Sequence, residues 1–418
     1  MNRRSTRRQV LGAAGWLAVA SGLAGCSGDD TGDDAGDETD DAGGDGNGTG
    51  ESDDGVGETP TPVDCLDPAI EENITTDTTL GRGCTFTLGG EIRIQEGATL
   101  TVQRGVTVEA TEGSLLQLDD GRVVARGTED QPIVFRGTAD EPGHWDGIRI
   151  LAEADNVLEH VQISHGGGST FFKANLSVAA AGSDTGPPGR VAVRNCEFTD
   201  SAGAGVRASA AATLDAFENN RIANNLGEAM GLHPANIGSL DSSSTYENNG
   251  SQYVGLRWSS TAQIVTGDAT WPDLGIPYRL VSANVDFIDI EGAVEMAPGT
   301  ELESTSGLGV RVTSGSLVAT SEDDPIVFRG VEDGQGNWEG IRVESDADNE
   351  FDNVVVSDGG GTTFYKANIR VGGRATVRNS ELTDSAGWGI FLADEGELTA
   401  ENNTFENNAE GDIRRPEE

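Results

Sequence analysis

The chain has two lysines, and they occupy equivalent places: Phe171-Phe172-Lys173-Ala174-Asn175 and Phe364-Tyr365-Lys366-Ala367-Asn368. Each follows a glycine run, Gly166-Gly167-Gly168 or Gly359-Gly360-Gly361. Aromatic rings beside a cation suit an acidic sugar, since the ring covers an apolar sugar face while the ammonium meets a carboxylate. Phe171, Phe172, Lys173, Phe364, Tyr365 and Lys366 are therefore candidate glycan-binding residues. A plainer reading also fits: one lysine copied by duplication, with the aromatics stacked inside the fold.

Three of the four histidines, His144, His160 and His165, are candidates for a metal site. Zinc needs three or four ligands converging on one point. His160 and His165 are close enough to span a strand and its corner. Asn337, Asn353 and Asp358 stand at the equivalent places later in the chain. That exchange favours polar surface positions over ligands. Asp119-Asp120 and Asp323-Asp324 are adjacent acids of the kind general acid–base chemistry uses. Both lie beside turn residues in a very acidic chain, where solvated corners are the simpler account. No catalytic residue is assigned.

The elements that position these residues are repeated. Pro132-Ile133-Val134-Phe135-Arg136-Gly137 returns 193 residues later as Pro325-Ile326-Val327-Phe328-Arg329-Gly330. Trp145-Asp146-Gly147-Ile148-Arg149 returns at the same offset as Trp338-Glu339-Gly340-Ile341-Arg342. The duplicated blocks run over about 92–228 and 285–410. From residue 74 onward the chain is a series of short β-rich runs, such as Glu91-Ile92-Arg93-Ile94 and Val106-Thr107-Val108, broken by Gly, Asn and Asp. No segment carries a sustained helical stripe. Repeated short strands that cannot bury their apolar faces alone must stack as a solenoid. The offset corresponds to about eight coils of roughly 24 residues, hence one continuous rod. At the spacing of paired strands, about fourteen coils make a rod of about 70 Å.

Glu-Asn-Asn recurs at 218–220, 247–249, 401–403 and 406–408. Asparagine tolerates the left-handed backbone of tight corners and can form amide ladders between rungs. Cation or sugar binding is the alternative. The first copy carries an insertion around Ala181 to Gly189, rich in Gly and Pro, which must leave the solenoid as a loop. Trp145 and Trp338 are expected to cover a coil edge in each copy.

Residues 1–26 read as a targeting segment. Arg7-Arg8-Gln9-Val10-Leu11 resembles a twin-arginine export signal, and Leu23-Ala24-Gly25-Cys26 a lipoprotein cleavage box with Cys26 as the lipidated residue. Residues 27–64 hold fourteen Asp or Glu and no Lys or Arg. Such a segment stays disordered and extended, a tether between membrane and folded body. Of the remaining cysteines, Cys65 and Cys84 are expected to pair at the start of residues 65–418, and Cys196, matched by Ser380, to be a buried filler. Formal net charge is −44. Such a surface repels nucleic acid, and high salt would screen its self-repulsion. Sequons occur at Asn47, Asn73, Asn175, Asn249 and Asn402.

Gly97-Ala98-Thr99-Leu100-Thr101-Val102, the two Pro-Ile-Val-Phe-Arg-Gly to Trp-x-Gly-Ile units, and Val193-Arg194-Asn195 with Val377-Arg378-Asn379 together resemble a pectin lyase-like protein. The likeness extends over about residues 65–410 and is closest to secreted β-helix lipoproteins of salt-loving archaea. It implies an all-β fold, a right-handed single-stranded parallel β-helix preceded by a disordered acidic tether. Polysaccharide hydrolases of this fold carry Asn-Thr-Asp, Asp-Asp, Gly-His-Gly and Arg-Ile-Lys motifs in order, a set this chain lacks, since its Asp119-Asp120 and Asp323-Asp324 stand without the other three. Its lyases use scattered calcium ligands with an Arg or Lys base, so calcium stays open and no cofactor is assigned. The resulting expectation is a lipid-anchored, non-catalytic rod on the extracellular face of the cytoplasmic membrane. Its partners would be that membrane, through Cys26, and polysaccharide or cell-surface glycan. An extracellular polysaccharide lyase or glycoside hydrolase is the alternative.

Overall fold

A computed structural model describes residues 61–63, 65, 68–170, 173–179, 188–257, 265–281, 286–362 and 365–416. The export signal, Cys26 and nearly all of the acidic tether lie outside them. So do Phe171, Phe172, Phe364 and most of the Gly- and Pro-rich insertion.

Each coil is made of short strands on three faces, and the strands of successive coils pair in parallel. Alternation sets which side chains enter. In Thr99–Gln103 the side chains of Leu100 and Val102 are buried, while Thr99, Thr101 and Gln103 face outward. This is the period-2 pattern of a strand with one buried face. One sheet of thirteen strands runs the length of the described body, from Glu91–Ile94 to Thr404–Glu406. Thirteen rungs give a rod of about 60 Å. A partial coil precedes them, with Ile74 bridged to Ile94.

The other two faces change sheets midway. Seven-stranded and eight-stranded sheets flank the first half, ending at Ala212–Glu218 and Thr245–Glu247. Two six-stranded sheets flank the second, starting at Ala269–Trp271 and Phe287–Ile290. A 3-10 turn, Pro234–Ser239, packs near the break.

The duplicated block is consequently rotated. Ile133–Gly137 lies in the eight-stranded sheet, but its copy Ile326–Gly330 lies in the thirteen-stranded one. Up the long sheet, Ile148 leads through Leu176, Val206, Met230, Val254, Tyr278 and Leu302 to Phe328. The offset is therefore seven coils plus one face, not the eight whole coils expected. Three successive coils of the first copy, from Leu116 through Ile148 and Leu176 to Val206, are lengthened by corner loops, so a uniform coil length is the wrong divisor.

The core is a column of stacked residues. Phe135, Phe198, Phe217, Trp271, Tyr278, Phe328 and Phe351 are essentially inaccessible. Burying each such ring contributes roughly 1.5–3 kcal/mol. Asparagine corners hold the coils together. In each Asn-Asn pair the first residue takes the left-handed conformation, as at Asn219 and Asn402. The second turns inward and bridges to the coil before it. Asn220 accepts from Cys196 N at 2.9 Å, and Asn403 accepts from Ser380 N at 3.0 Å. An Asn-to-Asn step among the inward residues occurs between Asn225 and Asn249, at 2.9 Å. Most of the inward bonds run to backbone rather than up a side-chain ladder.

Cys65 and Cys84 are disulfide-bonded, with Cα atoms 5.5 Å apart, at the start of the coil. Cys196 is a free buried thiol, pushed up to about 12 by burial.

Candidate functional site

The motifs shared by the two copies are occupied in holding coils together. The Trp145 indole N–H donates to Ser164 O at 2.8 Å, and Trp338 donates to Ser357 O at 2.6 Å. Both rings are fully buried rather than lying over a coil edge. Gly147 has φ +100°, and a Cβ there would stand 2.6 Å from Ala174 O. That contact explains the glycine after the Trp-x pair. Asn175 accepts from Gly166 N at 2.8 Å and donates to Thr199 O at 2.8 Å. Asn368 repeats both bonds, with Gly359 N at 2.8 Å and Thr383 O at 2.7 Å.

The described glycan candidates, Lys173, Tyr365 and Lys366, do not form one platform. Lys173 precedes the strand Ala174–Val178 of the long sheet, and Lys366 precedes Ala367–Val371 of a six-stranded sheet. Both lysines are exposed, but they lie on different faces, seven coils and one face apart. Tyr365 is 57% exposed and contacts Phe391 edge-on, with ring centroids 5.1 Å apart.

The three candidate histidines are not brought together as ligands. His160 and His165 have positive φ, as do Asn353 and Asp358 at the same corners of the second copy. They are turn residues in slots that Asn and Asp fill elsewhere. His144 Nε2 lies 2.8 Å from Thr138 Oγ1. Among the described residues no group of three or more His, Cys, Asp or Glu is placed to hold a metal ion. Asp119 is engaged by Arg93 at 2.9 Å and Gln117 at 2.6 Å, while Asp120, Asp323 and Asp324 are exposed.

Outward side chains at matching positions form columns along the rod. On several faces these columns alternate in sign: Arg126–Glu159–Arg194–Glu218, Glu197–Arg221, Arg279–Glu303–Arg329 and Asp352–Arg378–Glu401. Opposite charges on neighbouring rungs are the stabilising arrangement. Among the described residues one column places like charges on consecutive rungs. On the six-stranded sheet that starts at Phe287–Ile290, the order is Asp289, Arg311, Arg342, Arg370, Phe391, Arg414. Three arginines sit on consecutive rungs in a chain of net charge −44.

Aromatic rings support these guanidiniums. The Arg342 Cζ lies 4.1 Å from the Phe287 centroid, Arg370 lies 5.0 Å from Tyr365, and Arg414 lies 4.6 Å from Phe391. Their acidic contacts are loose, at 3.4 Å for Arg342–Glu339 and 3.5 Å for Arg370–Glu344. Arg311 by contrast holds Asp289 through two bonds of 2.6 and 2.7 Å. Burial lowers the Arg342 pKa, Glu339 and Glu344 raise it, and Arg370 and Arg311 lower it further. Hydrogen bonding to Asp289 raises that of Arg311. The middle of the column is thus cation-rich and incompletely paired. In the first copy the equivalent arginine, Arg149, lies between Gln117 and Ser177 on the long sheet, so no like-charge run forms there.

The candidate residues read from the sequence include Tyr365 but not the arginines. A signal was present: Gly-Val-Arg-Val at 309–312, Gly-Ile-Arg-Val at 340–343 and Asn-Ile-Arg-Val at 368–371. Without the register there was no reason to place those arginines on one line.

A family model described as a pectate-lyase like beta helix domain matches residues 72–170, and one described as a right handed beta helix region matches residues 302–414. No curated protein and no solved structure matches the chain.

Proposed function

We propose that this chain, a right-handed parallel β-helix repeat protein, is a lipid-anchored extracellular rod that binds polysaccharide without cleaving it. The observation that carries the reading is the outward arginine and aromatic column from Phe287 to Arg414. Among the described columns it alone places like charges on consecutive rungs, where no folding requirement demands it, and such departures mark functional positions. The pectate-lyase-like match points in the same direction, toward polysaccharide, though a fold alone does not assign an activity. Anchoring is argued from the Arg7-Arg8 signal, the Cys26 box and the acidic stretch of 27–64.

The test is a glycan array probed with soluble protein in molar salt, alongside an assay for new reducing or unsaturated sugar ends. Binding without new ends is the expected result. Release of such ends from uronate-rich polymers would replace the binder with a polysaccharide lyase or hydrolase.

A further inference from the structure

We propose that the Arg311–Arg342–Arg370–Arg414 face takes an acidic polysaccharide laid along the rod, with its carboxylates or sulfates seated on successive guanidiniums. This deepens the polysaccharide-binding reading and rests on it. Neighbouring rungs are about 4.8 Å apart, comparable to the length of one sugar ring in an extended chain. A polymer bearing an anion on each sugar therefore carries its charges at a spacing comparable to that of the rungs.

Two further observations favour an anion. Stacked like charges oppose folding, so an unliganded column of three arginines carries a cost that an anionic ligand would relieve. Arg342, Arg370 and Arg414 are also held against aromatic rings, while their acidic contacts are 3.3 to 3.5 Å long. Ring contact restricts the side chains before binding, so less freedom is lost when the ligand arrives. The side chains remain about a quarter exposed, at 24% for Arg342 and 22% for Arg370. Lys366 and Tyr365 border the same face, which gives these two candidates of the second copy a place in the site. The first copy, turned onto another sheet, has no such column.

The face is tested by calorimetry of the full mature chain in molar potassium chloride. The probes are a short oligouronate, its methyl ester, and oligothymidylate of similar length. The variants are Arg342→Gln with Arg370→Gln, Arg342→Lys, and Arg149→Gln on the other sheet. The oligouronate is expected to bind, the ester to bind at least about tenfold more weakly, and the double variant to lose at least about tenfold. Arg342→Lys should lose part of the affinity and Arg149→Gln none. Equal binding of acid and ester, tighter binding of oligothymidylate, or full affinity in the double variant each overturns this site while glycan binding stands. Failure of every glycan to bind overturns the functional reading beneath it.

Discussion

Arg342 stacks on Phe287 at 4.1 Å although a whole rung of sheet lies between them. That rung carries Gly309, and the missing side chain lets the ring lie across it. A Cβ at 309 would stand 2.8 Å from Phe287 Cε1 and 2.7 Å from Gly340 O. Gly309→Ala is expected to destabilise by about 1–3 kcal/mol, the usual cost of overpacking. Phe287→Ala removes the ring from a half-exposed position, so its own stability cost is expected below about 1 kcal/mol. Thermal melts check both, and a titration of Phe287→Ala with oligouronate should show several-fold weaker binding.

Asn175 and Asn368 make the same pair of bonds seven coils and one face apart and are fully buried. Replacing either by Ala leaves a buried backbone N–H and C=O unsatisfied, at about 1–3 kcal/mol. The two sites share no partner, so the double variant should lose the sum of the single losses. Denaturant midpoints measure this. The Asn175 amide nitrogen is the atom that glycosylation modifies, and it is already committed. So is that of Asn249, which donates to Ile222 O at 3.0 Å. Peptide mapping of the exported protein should find both bare, while Asn73 and Asn402 are exposed.

The solenoid was legible because strand alternation and a long repeat are local, additive signals. Phe135 and Phe328 announce a buried rung wherever they stand. The rotation of the second copy was not legible. It depends on the lengths of corner loops such as 138–146 and on the break near Pro234–Ser239, and a fixed offset cannot report either. The same limit hid the arginine column. Arg149 and Arg342 are identical in motif, yet only Arg342 has arginines on both neighbouring rungs. The histidines were legible from their exchange for Asn353 and Asp358, which favours polar positions over ligands, and the positive φ at those corners supplies the physical reason.

Asp146, the middle residue of Trp145-Asp146-Gly147, has its carboxyl pushed up by burial and then by the charge of Glu91. A carboxyl raised above its unfolded value favours the fold while protonated. Stability from this group is fully present below the unfolded pKa and is lost as pH rises through the folded one. At neutral pH its ionised form therefore opposes folding. Asp146→Asn is expected to melt higher than the parent at about pH 7, with the difference vanishing near about pH 3, where both side chains are neutral. A difference that grows on acidification would mean that Asp146 is stabilised as the anion. Glu339, the equivalent in the second copy, is also raised by burial but is pulled the other way by Arg342. Glu339→Gln should therefore gain less.

Two electrostatic terms respond to salt in opposite directions. The alternating columns contain many exposed pairs, such as Arg126–Glu159 at 3.6 Å and Arg194–Glu218 at 3.4 Å. Each contributes about 0–1 kcal/mol and weakens when screened. Against them stands the net charge. Four arginines in residues 1–26 and fourteen acids in 27–64 leave −34 on the remainder of the chain, from the total of −44. Pairing cannot remove that excess, because every basic residue is already outnumbered. Self-repulsion of this size should outweigh the screened pairs, since it acts between all the unpaired carboxylates at once. The melting temperature is therefore expected to climb with potassium chloride up to about 1 M, where the screening length has fallen to about 3 Å. A melting temperature that stays level or drops over that range would assign the dominant role to the Arg–carboxylate columns instead.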